Sequence, residues 1–272
     1  MTALNAVLGR VADAVLGPVQ GWPPLAVILA LALVTALGVL GVMKVSSNQT
    51  KMAAAKRRIH ADLLEMRLYN DDLRALLRAQ GALLRDNGAY IWLSLVPLLI
   101  TALPLTLLIA QVQSWYGYAG LPAGQPAVVT MDLQGDAPAV LPTLDAPGVE
   151  VDGAPMYFPT LGQVVWRVTP REAGPHVVRV RLDAGATLDK TLHVGDGIAR
   201  RSPAREAPDL LTQMLYPSEP PLPGGSPVAA IRVDYPERAL SVFGVDVHWL
   251  WPYLLASFAF VLALRKPLGV VI

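Results

Sequence analysis

The sequence predicts a membrane α+β protein: three transmembrane helices with a cytoplasmic helical hairpin and an extracytoplasmic β-sandwich-like domain. Three observations predict it. Charged residues make up 16% of 272, against roughly 25% in soluble domains, too few to cover a soluble globule. The 22 basic and 21 acidic residues are spread so unevenly that three long stretches carry none. Between the second and third stretches the texture turns to Pro, Gly, Asp and Val, the vocabulary of turns and short strands. An ordinary cytosolic enzyme is excluded. The absence of cysteine removes disulfides, thiolate metal sites and cysteine nucleophiles together.

Residues 1–20 read as an interfacial amphipathic helix. Leu4, Val7, Leu8, Val11 and Val15 fall on one helical face, and a disordered tail is the alternative. No basic n-region precedes the apolar run and Gly17-Pro18 interrupts it, so a cleaved signal peptide is not expected. The first span is 21–45, uncharged between Trp22 and Lys44; the second is 89–113; the third is 248–265, closed by Arg265 and Lys266 before a tail at 266–272. A span needs about 20 apolar residues to cross roughly 30 Å of hydrocarbon.

The flanking bases give direction. Residues 44–88 carry nine (Lys44, Lys51, Lys56, Arg57, Arg58, Arg67, Arg74, Arg78, Arg85) against five acids, whereas 114–248 carry ten bases and fifteen acids. The basic loop is expected inside, the N-terminus outside and the C-terminus inside, in a bacterial cytoplasmic (inner) membrane. Trp22, Trp92, Trp115, Trp249 and Trp251 lie at the expected interfaces as anchors.

Residues 46–88 form the hairpin. The stretch 51–86 lacks proline and favours helix. Ile59, Leu63, Met66, Leu73, Leu77 and Leu84 fit a coiled-coil-like 4-3 spacing, with Asn70 and Gln80 at its polar positions. One straight helix would be about 54 Å long, yet the chain must return to the same membrane face. Tyr69-Asn70-Asp71-Asp72 supplies the break, with Asn70 or Asp71 as N-cap. Arg67, Arg74, Arg78 and Arg85, spaced 7, 4 and 7, share one face. That face is either simply solvated or a contact surface for anionic lipid, the ribosome or an acidic partner. Nucleic-acid sequence recognition is not expected, because acids are interleaved and aromatics nearly absent.

Residues 114–247 form the periplasmic β-domain. Strands are expected at 127–131, 164–168, 176–182, 191–194 and 229–233, separated by turn signals at 172–175, 183–185 and 195–197. Val178-Arg179-Val180-Arg181-Leu182 alternates cleanly, and Trp166 is the expected core anchor. Residues 199–227, with basic clusters and then Pro-rich sequence, read as an extended loop or partner-docking arm.

No catalytic, cofactor or metal residue is assigned, and no enzyme activity is expected. The chain has no Gly-x-Ser-x-Gly elbow, no phosphate-binding loop with lysine and no His-Glu-x-x-His. His176 and His193 could meet on neighbouring strands, but two histidines make a weak metal case. No charge lies within a span, against a proton or ion pathway. The mild polar residues Thr35, Ser94, Thr101, Thr106, Gln111 and Ser257 are either helix-packing groups or the lining of a weakly polar groove. Pro97 and Pro104 are expected to bend the second span, and Pro252 the third.

The order of elements, with Lys51-Met52-Ala53-Ala54-Ala55-Lys56-Arg57-Arg58-Ile59 and Leu63-Leu64-Glu65-Met66-Arg67-Leu68-Tyr69-Asn70-Asp71-Asp72 in the hairpin, resembles the YidC/Oxa/Get-type insertase superfamily, especially its short three-span members. The resemblance covers residues 1–113 and 249–270 and rests mostly on topology. It implies a membrane-protein insertase or assembly chaperone. Bacterial members place a basic residue in the intramembrane groove and their periplasmic domain after the first span; this chain does neither. The residues themselves favour a non-catalytic structural or accessory subunit of a larger complex, such as a respiratory or photosynthetic assembly. Its expected partners are the lipid bilayer and other integral-membrane proteins.

Overall fold

A computed structural model describes residues 2–46, 49–68, 72–135, 140–182 and 185–270. It shows a mixed α+β fold with long apolar helices and three open β-sheets. Two units emerge: Met1–Val27 with Leu107–Trp249, and Ile28–Thr106 with Leu250–Ile272.

The second unit is helical. Helix α2, Pro24–Ser46, has 23 residues, and its most apolar stretch has a mean hydropathy of 2.8; at 1.5 Å per residue the helix is about 34 Å long. Helix α3 is Gln49–Leu68, and α4 runs unbroken from Leu73 to Tyr116, through Pro97 and Pro104. Both α2 and α4 are long and apolar enough to cross a membrane. Helix α6, Leu250–Leu264, is apolar but has only 15 residues. Its helical path continues past that bound: Arg265 N–H donates to Val261 O and Leu268 N–H to Leu264 O. Val270 N–H then reaches Arg265 O and Gly269 N–H reaches Lys266 O, with Gly269 at φ 67°. This is a Schellman closure, which places the residue after the cap in the left-handed region.

The break in the predicted hairpin falls between Leu68 and Leu73. The predicted caps Asn70 and Asp71 lie outside the described residues, as do Asp183 and Ala184 of one turn signal. The cap that is visible is Asp72, whose carboxylate accepts from Arg74 N–H at 2.9 Å. Helix α3 meets the first part of α4 through Arg58, whose Nε–H donates to Asp86 at 2.9 Å. The packed seam is not the predicted leucine stripe. Met52, Ala55 and Ala79 are buried and Ile59, Met66, Leu76 and Leu83 half-buried, whereas Leu63, Leu73, Leu77, Gln80 and Leu84 face outward. Small side chains thus take buried positions, and the larger leucines are left exposed. Because Arg67 sits on α3, the four predicted arginines do not share one helical face; Arg74, Arg78 and Arg85 still do on α4.

The first unit begins with α1, Thr2–Leu16. Its buried side carries Asn5, Gly9 and Leu16, leaving Val7, Val11 and Val15 exposed. All five predicted strands are present, as β1 (Ala127–Leu133), β5 (Gln163–Pro170), β6 (Gly174–Arg181), β7 (Thr187–Val194) and β9 (Val228–Val233). Short strands β2 (Thr143–Asp145), β3 (Val149–Val151), β4 (Met156–Phe158) and β8 (Ala204–Glu206) complete two antiparallel sheets. One has the order β3-β5-β1-β9-β8, with β4 also on β5; the other is β2-β6-β7. Their apolar faces share one core, in which Trp166, Val129 and Met131 meet Val178, Val180 and Leu192. Burial of alternate residues on β6 and β7 is what the period of two in a strand predicts. A third sheet is the hairpin β10–β11, Ala239–Val242 with Val245–His248, leading straight into α6. Residues 199–227 are not an extended arm: they contain β8 and the helix α5, Leu210–Leu215, which Asp209 caps.

Candidate functional site

The residues predicted to carry function are placed as follows. Arg67, Arg74, Arg78 and Arg85 are exposed; Arg78 Nε–H contacts Arg74 O at 3.4 Å, and Arg85 Nε–H contacts Asp86 at the same distance. Trp22, Trp92 and Trp251 are exposed, but Trp115 and Trp249 are buried. The Trp249 indole N–H donates to Gln113 Oε1 at 2.6 Å, tying the residue before α6 to the last turns of α4. Of the mild polar residues, Ser94, Thr101, Thr106 and Ser257 donate to carbonyls four residues back on their own helices. Such back-bonding satisfies the hydroxyl locally. Thr35 alone of the set meets another helix, accepting from Tyr253 Oη at 3.0 Å. Gln111 is buried in the first unit with its carbonyl oxygen unpartnered.

His176 and His193 do not meet. His176 stands opposite Leu192 and His193 opposite Pro175, so the two histidines leave opposite faces of the sheet. His176 uses its ring nitrogens on Pro147 O and Glu172 O. Among the described residues no group of three His, Asp or Glu could hold a metal.

The structure gathers its buried charge elsewhere, around the end of α4. Gly117, Tyr118, Ala119 and Gly120 leave the helix and cross the loop 195–201. Arg201, 2% exposed, donates through its guanidinium to the carbonyls of Tyr118, Gly195, Gly197 and Ala199, and its backbone N–H to Ser114 O. Arg238 joins it on Tyr118 O, Asp196 O and Gly197 O, with its backbone N–H on Gly117 O. Two guanidinium groups thus converge on loop carbonyls just past the end of α4, while the Arg201 backbone N–H reaches Ser114 O in its last turn. The crossing is tight: a Cβ at Gly120 would come within 2.1 Å of Gly195 O. Burial, and then the neighbouring Arg238, lower the Arg201 pKa to about 10.

A second buried charge lies on β7. Lys190 Nζ donates to Ser202 O at 2.6 Å and to Glu219 at 2.7 Å, while the same carboxylate accepts from Thr191 N–H. Burial lowers the Lys190 pKa against the opposing pull of Glu219. Next to it, burial and then Arg201 and Lys190 hold His193 down at about 4. The Tyr235 hydroxyl sits between β7 carbonyl and amide, accepting from His193 N–H and donating to Thr191 O, and burial pushes its pKa up.

The same loop region holds α1 in place. Arg200 donates to Asp13 at 3.2 Å and to Pro217 O at 2.8 Å, and Asn5 Nδ2 donates to Gln213 O at 2.6 Å. Sequence reasoning missed these residues because their acceptors are mostly backbone carbonyls, which no side-chain motif records. The paired arginines Arg200-Arg201 were the one available signal. No family model matches the sequence, and no curated protein or solved structure matches it.

Proposed function

We propose that the protein is a non-catalytic structural or accessory subunit of a larger complex in a bacterial cytoplasmic membrane. In this reading α2, α4 and α6 are three spans, α3 with the start of α4 is a cytoplasmic hairpin, and the strands form a periplasmic β-sandwich-like domain. The N-terminus lies outside and the C-terminus inside, as the nine bases of residues 44–88 favour. The observation that carries the reading is how little of the apolar helices the chain itself covers. Only 28% of the most apolar stretch of α2 and 11% of that of α4 are buried within the chain. Charge-free helical surface of that extent is matched by lipid and by other membrane helices. The leucines Leu63, Leu64, Leu68, Leu73, Leu77 and Leu84 add exposed apolar side chains on α3 and the start of α4.

A second reading, membrane-protein insertase or assembly chaperone, is favoured by one feature. An open apolar face on α3, with Leu63 and Leu64 exposed between His60 and Arg67, suits transient capture of an apolar segment. Purification in mild detergent from cells whose translation has been stopped separates the two. The subunit reading expects a stoichiometric complex that persists, and Arg74→Glu with Arg78→Glu weakens it at least threefold in pull-down yield. A protein recovered alone, with photo-crosslinks from α3 to nascent chains, replaces the first reading with the second. Unchanged association of the double variant returns that arginine face to simple solvation.

A further inference from the structure

The hairpin β10–β11 carries an apolar tip that the fold itself does not cover. Its register pairs Ala239 with His248, Leu240 with Val247, Ser241 with Asp246 and Val242 with Val245. Directly paired residues, and residues two apart on a strand, share one face of a sheet. Leu240, Val242, Val245 and Val247 therefore form an apolar face, and Ser241 and Asp246 lie on the other. Cover on the apolar face fades toward the tip: Leu240 is buried, Val242 and Val247 are half-buried and Val245 is exposed. At the very end Phe243 is fully exposed.

The backbone adds an independent observation. Phe243 and Gly244 make a two-residue loop with φ of 52° and 81°, the sign pattern of a type I′ turn, which favours Asn or Asp before the glycine. A bulky side chain at positive φ is strained, and Phe243 is the sole non-glycine residue in that region among the described residues. Asparagine would close the same turn at lower cost. An aromatic side chain held in strain and left without cover gains nothing from the chain's own packing, so its use lies outside the chain.

Chain connectivity says what covers it. Strand β11 ends at His248, and Trp249 alone separates it from α6. The base of the hairpin is pinned to the end of α4, by the Trp249 indole N–H on Gln113 and by the Arg238 N–H on Gly117 O. If α4 and α6 span, that base stands where both meet the outer membrane surface. Phe243, five residues from His248, is then at most about 18 Å from it. The tip Val242-Phe243-Gly244-Val245 has no polar side chain, whereas protein contacts ring their aromatic anchors with polar groups. Lipid requires none. Resting on the membrane reading, we propose that the β10–β11 tip lies in the lipid interface of the outer leaflet, Phe243 and Val245 against the upper acyl chains and Ser241 and Asp246 toward water. The depth is shallow, because a turn carries backbone N–H and C=O groups that hydrocarbon cannot satisfy.

The test uses the full chain, which has no cysteine of its own, reconstituted into liposomes of phosphatidylethanolamine and phosphatidylglycerol. A bimane fluorophore is attached at Val245→Cys, Ser241→Cys or Trp251→Cys, and lipids carrying a nitroxide near the top of the acyl chain or deep within it quench the fluorescence. Val245→Cys is expected to be quenched at least twice as strongly as Ser241→Cys, and more by the shallow nitroxide than by the deep one. Phe243→Asn, which suits the turn, keeps Tm and lowers quenching at Val245→Cys at least twofold. Equal quenching at Ser241→Cys and Val245→Cys, or no effect of Phe243→Asn, overturns the anchoring role of the tip. Trp251→Cys, exposed in the first turn of α6, keeps the two failures apart. Quenching there with none at Val245→Cys overturns the lipid-bound tip alone, and no quenching at either overturns the membrane reading with it. Protection of Val245→Cys from maleimide in native membranes, without quenching in liposomes, gives the tip to a protein partner and overturns the lipid proposal.

Discussion

Burial without a counter-charge governs His193. Burial, and then the charges of Arg201 and Lys190, hold its folded pKa at about 4, below the ordinary 6.5. Between those two values the unfolded chain binds the proton more readily than the folded one, so stability falls as pH falls through that window. Above 6.5 both states are neutral and the full stability is present. A gap of that size corresponds to on the order of 3 kcal/mol. Tm in detergent is therefore expected to drop by roughly 6–12 °C more between pH 7 and pH 4 in the wild type than in His193→Gln. Carboxylates titrate in both proteins, so the difference isolates the histidine. Parallel pH profiles for the two proteins would show that His193 stays accessible to protons when folded.

Elements pack by the distance their small residues allow. In α3 and α4 the buried positions Met52, Ala55 and Ala79 alternate with half-buried Ile59, Met66, Leu76 and Leu83, while the bulky stripe stays outside. Enlarging the seam is expected to be costly and trimming the stripe cheap. Ala79→Leu should destabilise by about 1–3 kcal/mol through overpacking, and Leu77→Ala, 58% exposed, should stay within about 0.5 kcal/mol. Denaturation of the detergent-solubilised protein measures both. A loss of several kcal/mol for Leu77→Ala would mean that leucine is packed in the native assembly, as a partner-covered stripe would be. The case also shows what a sequence can carry. The helix spans and all five long strands were legible because apolar runs, alternation and turn residues encode them locally. The seam was not, since both stripes are apolar and nothing local in the sequence selects alanine over leucine for burial. Helix α5 was hidden in Pro-rich sequence, and the separation of His176 from His193 turned on a one-residue register. The Arg201 cradle was invisible for a different reason, as four of its partners are main-chain carbonyls.

At the scale of the whole molecule, near-zero net charge conceals two opposed populations: nine bases over five acids in residues 44–88, fifteen acids over ten bases in 114–248. The proposed membrane reading puts a bilayer between them, and the lack of cysteine makes that arrangement directly measurable. Glu65, Glu172 and Lys266 are exposed, so Glu65→Cys, Glu172→Cys and Lys266→Cys each introduce one accessible thiol in an otherwise unreactive chain. With a membrane-impermeant maleimide on intact spheroplasts, Glu172→Cys is expected to label at once and Glu65→Cys only after permeabilisation. The reverse pattern overturns the orientation, and immediate labelling of both removes α4 as a span. Lys266→Cys decides the third span, where length alone is least generous. Counted through its Schellman closure at residues 265–270, the helical path from Leu250 to Leu268 is about 28 Å long, close to the roughly 30 Å of hydrocarbon. Arg265 and Lys266 at its end are then held on the basic side, where the positive-inside rule places them. Protection of Lys266→Cys alongside Glu65→Cys makes α6 a span; labelling alongside Glu172→Cys makes it a helix that returns to the outer surface, and the protein a two-span one.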